Sequence, residues 1–335
     1  MHRVRKPSSA GRPARPSRSF AQSWSTPTFG ETRLGSPSER VLLTGSGGFT
    51  GRPLAARLRQ DGHEIFGVTR APAASGETQG DLCDTDFVQR TVTEIHPTVV
   101  IHLAGIAAPL HGNLGELYAV NVAGTANLLK ALSGLAERPK RVIIASSATV
   151  YALSEDGAPI EEDAPLEPQN HYGASKRAME DVARLFANQL PIVVTRPFNY
   201  TGPGQEPIFL VPKIVDHFVR RAPRIHLGNL DLFRDFSDLR RVVEIYARLV
   251  SRPVDHAVVN ICSGRAIHLA SIIGLLQEIS GHAIEVVKDP ALLRPGEARV
   301  IEGSAKRLQS MLGDLPNPDF RDTLCSMYEA GASSA

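Results

Sequence analysis

The sequence predicts an α/β fold: a Rossmann-type doubly wound parallel sheet with a smaller C-terminal lobe. Three observations predict it. From Arg40 onward, short apolar runs alternate with helical segments. The runs at 41–43, 99–101, 142–145 and 192–194 are continuously apolar, as strands covered on both faces must be. The first run also leads through a glycine-rich turn straight into a helix, the strand–turn–helix unit from which such sheets are wound.

Before Arg40 the chain is different in kind. Residues 1–38 hold Arg3, Arg5, Lys6, Arg12, Arg15, Arg18 and Arg33 against the single acid Glu31, among many Ser, Pro and Gly. Such a segment has too little apolar surface to offset the entropy of ordering and is expected to be disordered. A dispensable extension or a misassigned start is weighed above a transit peptide or a nucleic-acid arm. Removing its seven basic residues and one acid from totals of 37 and 35 leaves 30 and 34, a net of −4. The whole chain carries only +2, so charge makes no case for nucleic acid or an acidic membrane as partner. The least polar stretch, 98–110, contains His102 and Pro109 and is too short to cross a membrane. Cys83, Cys262 and Cys325 are widely spaced and form no CxxC pair. They are expected to be reduced and buried in a cytoplasmic protein, with no disulfide and no metal framework.

The turn after the first strand reads Thr44-Gly45-Ser46-Gly47-Gly48-Phe49-Thr50-Gly51. Gly45, Gly48 and Gly51 serve in turn a tight bend, close approach of the backbone, and packing of the helix on the strand. A pyrophosphate can then sit on exposed amides at the positive end of the helix. Glycine triplets also occur in plain turns; the strand before and the helix after favour dinucleotide binding. A second strand follows at 63–69, a helix at about 86–95, a strand at 98–105 and one long helix at 116–135. Strands at 141–147 and 192–195 complete this half. Beyond 198 the apolar pieces are short and split by Pro and Gly, with helices at about 210–220, 239–249, 270–279 and 305–311. The chain thus divides into the tail, a dinucleotide-binding domain at 39–198, and a lobe at 199–335 placed over the carboxyl ends of the strands.

Tyr172 and Lys176 are four residues apart and share one face of a helix. A phenol ionises near pH 10, and a neighbouring ammonium is expected to lower that value towards the working range. Ser147 ends a buried strand, where its hydroxyl can meet a substrate oxygen. Together these groups would polarise a carbonyl while a nicotinamide delivers hydride. The spacing alone is common on amphipathic helices; its place after the glycine turn and Ser147 is what favours chemistry. A strand histidine such as His102, and His171 beside the site, are read as packed or hydrogen-bonded rather than catalytic.

In these stretches the sequence resembles the extended short-chain dehydrogenases/reductases that act on nucleotide sugars, over about 40–313. The glycine turn looks like their cofactor loop, Ser146-Ser147-Ala148-Thr149-Val150-Tyr151 like their catalytic serine strand, and His171-Tyr172-Gly173-Ala174-Ser175-Lys176 like their catalytic helix. The resemblance implies cofactor contacts at Gly45, Gly48, Phe49, Thr50, Gly51, Asp81, Leu82, Leu103, Ala104, Gly105, Asn121, Tyr172 and Lys176. It implies substrate contacts at Ser147 and Asn199, and at Asn229, Arg234 and Arg294 in stretches similar to enzymes of GDP-mannose metabolism. The two arginines fall where a diphosphate is clamped, which suits guanidinium geometry. A GDP-linked 4-keto-6-deoxyhexose substrate and a homodimer are implied with them. Leu128, Leu132, Val182 and Phe186 accord with the dimer, since they exceed what one sheet face covers. Thr149 stands where similar dehydratases carry a titrating Glu, which argues against water elimination. Ile106-Ala107-Ala108 stands where relatives place a hydroxyl or amide, which leaves the sugar open.

The second strand ends Val68-Thr69-Arg70, with no acid before Glu77. NAD-specific sites place an Asp or Glu there for the ribose hydroxyls. Arg70 offers a guanidinium to a 2′-phosphate instead, so NADP(H) is expected to be preferred over NAD(H). Stacking of Arg70 on adenine, tolerant of either cofactor, is the alternative.

Overall fold

The computed structural model describes residues 38–73, 76–107, 112–153, 157–252, 257–293 and 296–333. The basic tail expected to be disordered, and Arg294, lie outside the described residues. The first half runs β1 (Arg40–Thr44), α1 (Gly51–Gln60), β2 (Glu64–Thr69), β3 (Glu77–Gln79), α2 (Thr85–Ile95) and β4 (Val99–His102). It continues through α3 (Leu114–Tyr118), a π-helical turn (Ala119–Ala123), α4 (Gly124–Ser133), β5 (Arg141–Ala145), α5 (His171–Leu185) and β6 (Ile192–Pro197). Then come β7 (Asn199–Thr201), α6 (Leu210–Val219), β8 (Arg224–Leu227), β9 (Phe233–Asp238), α7 (Leu239–Ser251) and β10 (Ala257–Ile261). The chain closes with β11 (Ala266–His268), α8 (Leu269–Ser280), β12 (Glu285–Lys288), β13 (Val300–Ile301), α9 (Lys306–Leu312) and α10 (Phe320–Ala332).

Seven strands form one parallel sheet in the order β10-β6-β5-β4-β1-β2-β3. The chain reverses its direction of growth between β1 and β4, the crevice where ligands of wound sheets bind. Side chains alternate between the two faces as a strand requires. Val41 and Leu43 join Ile101, Ile143 and Val193 in a core under α1 and α7. Leu42 joins Val100, Val142 and Ile144 on the other face, under α2, α4 and α5. Both faces are therefore sealed, which explains the uninterrupted apolar runs. A separate core gathers α6, α8 and α10 around Phe218, Ile225 and Leu276. Beside it β9 pairs with β11, β13 and β7.

Three expectations are corrected here. The helix read as continuous over 116–135 begins at Leu114, opens into the π turn and ends at Ser133; its cause is a buried asparagine described below. Leu128 and Leu132 are 1% and 0% exposed, and Val182 and Phe186 pack against the same core, so the four are mostly consumed within one chain. Of the cysteines, Cys262 is buried, Cys83 is exposed and Cys325 is intermediate. Cys83 sits in the turn before α2, which Asp84 caps through the amides of Asp86 and Phe87, and only its neighbour Leu82 faces the core. No helix among the described residues is long and apolar enough to cross a membrane.

Candidate active site

The glycine turn links β1 to α1 as a tight crossing. Gly45 has φ +74°, and a Cβ there would stand 2.8 Å from the Ala104 amide nitrogen, so this position needs glycine for both conformation and space. At Gly51 a Cβ would meet the Gly45 carbonyl oxygen at 2.1 Å, which lets α1 start directly against the turn. Among the described residues the amides of Phe49 and Thr50, at the α1 N-terminus, have no protein acceptor. This cradle fits a dinucleotide pyrophosphate. Gly48, Phe49 and Thr50 form its floor: Phe49 stacks on Tyr200 with ring centroids 5.9 Å apart, and Thr50 Oγ1 lies 2.9 Å from the Tyr200 hydroxyl. Tyr200 lies three residues past the arginine-proline end of β6, where the sequence carries no local signal of its role.

Leu103, Ala104 and Gly105 follow β4 and form the neighbouring wall. A π turn bonds i to i+5, widens the helix and redirects its side chains. Here it delivers the fully buried Asn121 to the wall: Ile106 N donates to Asn121 Oδ1 at 2.8 Å, and Asn121 Nδ2 donates to Ser175 Oγ at 3.0 Å. Below it, Thr125 Oγ1 donates to the Asn121 carbonyl at 2.7 Å, so it must accept from His102 Nε2 at 2.8 Å. His102 Nδ1 then accepts from Thr44 Oγ1 at 2.7 Å, which itself accepts from Ala104 N at 3.3 Å. Burial keeps His102 neutral, lowering its pKa to about 3, with Lys176 adding to the effect. His102 is thus a hydrogen-bonded core histidine, as the sequence suggested.

Asn170 caps α5 through Gly173 N, which places Tyr172, Ser175 and Lys176 in its first turns facing inward. Tyr172 and Lys176 are 8% and 5% exposed. Ser147, extended after β5, lies beside the Tyr172 hydroxyl and acts to lower its pKa. Its own Oγ accepts from Thr149 N at 3.2 Å and from Thr149 Oγ1 at 2.9 Å. Lys176 Nζ donates to the Ala145 carbonyl at 2.8 Å and would lie 3.2 Å from a Cβ on Gly105, beside the wall. The three residues read from the sequence are therefore brought together at the carboxyl edge of the sheet. One expectation fails: Lys176 does not lower the Tyr172 pKa. Burial raises that phenol to about 12, Ser147 opposes the rise, and the Lys176 ammonium is directed at the Ala145 carbonyl instead. Burial in turn lowers Lys176 to about 8, partly offset by Glu180.

At the far end of the crevice Asp81 accepts from Cys83 N at 2.9 Å, and Leu82 is buried, its carbonyl bonded by Asn127 at 2.9 Å. Arg70 follows β2, and its Nη1 contacts Glu116 Oε1 at 2.7 Å. Glu116 lies on α3, 46 residues from Arg70 in sequence, so no local pattern marks it as the acid beside that guanidinium.

The residues expected to meet substrate are more scattered. Asn199 is exposed at the start of β7 and donates to the Asp235 carbonyl at 3.2 Å. Asn229 is exposed in a turn, where its Oδ1 accepts from Asp231 N. Arg234, on β9, is 8% exposed and pairs with Glu297 at 3.1 Å while donating to the Phe233 carbonyl at 2.8 Å. Beside it Asp235 accepts from Ser263, Gly264 and Gly303, which fixes β9 in place.

This arrangement, a glycine cradle, a serine–tyrosine–lysine centre and a second lobe facing both, has recognisable relatives. A model of the NAD dependent epimerase/dehydratase family matches residues 41–262. The chain belongs to that family. It is accordingly an NAD(P)-dependent oxidoreductase of the extended short-chain dehydrogenase/reductase class. GDP-6-deoxy-D-talose 4-dehydrogenase of Aggregatibacter actinomycetemcomitans is 34% identical over 285 residues, covering 85% of this chain and 93% of that one. GDP-6-deoxy-D-mannose reductase of Pseudomonas aeruginosa is 31% identical over 296 residues, covering 86% and 95%. The structure of RMD from P. aeruginosa complexed with NADPH superposes with a TM-score of 0.78 at 30% identity, covering 89% of this chain and 99% of that one.

Proposed function

We propose that this family member reduces the 4-keto group of a GDP-linked 4-keto-6-deoxyhexose, converting GDP-4-dehydro-6-deoxy-D-mannose to GDP-D-rhamnose. NADPH is the preferred reductant, a homodimer the working form and the cytoplasm its place. The observation that carries the reading is the buried Tyr172 hydroxyl, placed beside Ser147 and still protonated at neutrality with its pKa near 12. A phenol in that state is a proton donor, which is what a carbonyl reduction requires of it.

When bound on the glycine cradle, the nicotinamide supplies the hydride for the carbonyl carbon. The Ser147 hydroxyl, oriented by Thr149, holds the keto oxygen against Tyr172. The Tyr172 O–H bond then breaks towards the developing alkoxide, leaving a phenolate. The Lys176 ammonium sits close enough to the cofactor wall to bind a ribose hydroxyl. Arg234 and Arg294 would face the diphosphate, and Asn199 and Asn229 the rest of the nucleotide sugar. Thr149, standing beyond Ser147, has no proton to exchange near neutrality, which counts against a dehydratase.

Mannose and talose differ at C4 alone, so reduction of this one ketone from its other face gives GDP-6-deoxy-D-talose. The 34% identity to a GDP-6-deoxy-D-talose 4-dehydrogenase favours that as the second reading. Incubating the protein with GDP-4-dehydro-6-deoxy-D-mannose and NADPH, then resolving the product sugars, tests both. One NADPH consumed per product supports reduction, and the sugar formed selects the face. No consumption there, together with inversion at C4 of a 4-hydroxy nucleotide sugar without net cofactor turnover, would point to a 4-epimerase.

A further inference from the structure

The adenosine end of the crevice is lined by charges that the reading above leaves unexplained. Arg70 is fixed as a backbone between two strands: Gly80 N donates to the Thr69 carbonyl at 3.0 Å, and Gln79 Nε2 to the Arg70 carbonyl at 3.2 Å. The cofactor turn lies alongside, since a Cβ on Gly47 would stand 2.8 Å from Thr69 Oγ1. In wound sheets the end of the second strand is where the adenosine ribose is read, an acid favouring hydroxyls and an arginine favouring the 2′-phosphate. This chain presents both charges at that place. Glu116 is held there by fold rather than by neighbours in sequence: Asn113 caps α3 by accepting from Glu116 N at 3.0 Å, and the π turn beyond anchors the helix through Asn121.

We propose that Glu116 is a coenzyme-selectivity residue, a built-in counter-anion on Arg70 that a 2′-phosphate must displace and that a 2′-hydroxyl can instead donate to. The proposal rests on the reading that Arg70 faces the 2′ position. Its physics is simple. The Arg70–Glu116 pair is open to water, with side chains 57% and 35% exposed, so its attraction is modest and the exchange is easy. A dianionic phosphate must nevertheless approach a carboxylate as well as a guanidinium. Glu116 therefore trims the NADPH preference that Arg70 creates and keeps NADH usable.

The test uses the full chain without any sugar: titration of cofactor fluorescence with NADPH and NADH, for wild type, Glu116→Gln, Glu116→Ser, Arg70→Ala and the Arg70→Ala/Glu116→Gln pair. Both Glu116 variants should tighten NADPH binding by about threefold to tenfold and leave NADH equal or weaker, and the gain should shrink as salt is raised. In the Arg70→Ala background the same change should alter the NADPH-to-NADH ratio by less than about twofold, because its main target is gone. If Arg70→Ala lowers the ratio while neither Glu116 variant raises it, the phosphate-reading role of Arg70 stands and the Glu116 proposal falls. Weaker NADPH binding in Glu116→Gln would also overturn it, since Glu116 would then be aiming Arg70 at the phosphate. An unchanged ratio in Arg70→Ala defeats both.

Discussion

Tyr172, Lys176 and Asn121 lie in the parallel-sheet half with exposures of 8%, 5% and 0%, whereas Asn199 and Asn229 are exposed on the smaller lobe. In the first region a line of polar groups holds itself in place: Thr44, His102, Thr125, Asn121 and Ser175 are bonded in turn beneath the catalytic helix. In the second, Arg234 pairs with Glu297, a side chain at the rim of the lobe. The difference separates two tasks. Proton transfer needs groups held to fractions of an ångström in a dry setting, where a buried network is stable only when fully satisfied. Binding a charged, flexible nucleotide sugar needs groups that can exchange an internal partner for a ligand.

That contrast can be broken by substitution. The largest effect is expected on the catalytic side: Tyr172→Phe should lower kcat by about 100- to 10,000-fold while cofactor affinity stays within about threefold, because only the proton donor is lost. Steady-state kinetics beside a fluorescence titration would check this, and a kcat within tenfold of wild type would remove Tyr172 as the acid. Arg234→Ala should act differently. It should raise KM for the nucleotide sugar by about tenfold to a hundredfold and change kcat less, the scale of one lost charge-assisted contact. A fall in kcat alone would place Arg234 in the chemistry instead.

How much of this was legible in the sequence follows the same division. The glycine turn, Ser147, Tyr172 and Lys176 depend on spacings of a few residues, and the sheet core depends on apolar runs; both are local signals. The π turn was not legible, because what opens the helix at Asn121 is a pair of bonds to Ile106 and Ser175, the latter 54 residues on. Glu116 escaped for the same reason, paired to Arg70 across 46 residues. The Tyr172 pKa is not legible in the sequence, because a four-residue spacing says that two side chains share a helix face, not that they touch. Lys176 turns to the end of β5, and burial then decides the phenol. β10 could not be assigned either: a short apolar piece beyond residue 198 pairs with β6 and extends the first sheet.

A smaller effect sharpens the comparison from the side of stability. Lys176 titrates at about 8 folded and near 10.5 unfolded. Between those values the unfolded chain binds a proton that the folded chain does not, so stability contributed by this group rises with pH across the window. The gain is on the order of 3 kcal/mol. Tyr172 has the opposite sign: raised from 10 to about 12, it costs stability as pH climbs through that range. Denaturant unfolding from pH 7.5 to 10 should show the rise in wild type and lose it in Lys176→Met; a parallel profile for the two would mean the ammonium is not desolvated.

The central claim is that hydride passes from the cofactor to C4 of the sugar while Tyr172 supplies the proton. The most direct measurement uses NADPH deuterated on the transferring face of its nicotinamide C4, with GDP-4-dehydro-6-deoxy-D-mannose and mass and NMR analysis of the product. The account predicts one deuterium, located at C4 of the 6-deoxyhexose, in step with NADPH oxidation. Sugar converted without deuterium at C4, and with NADPH left unoxidised, would contradict it.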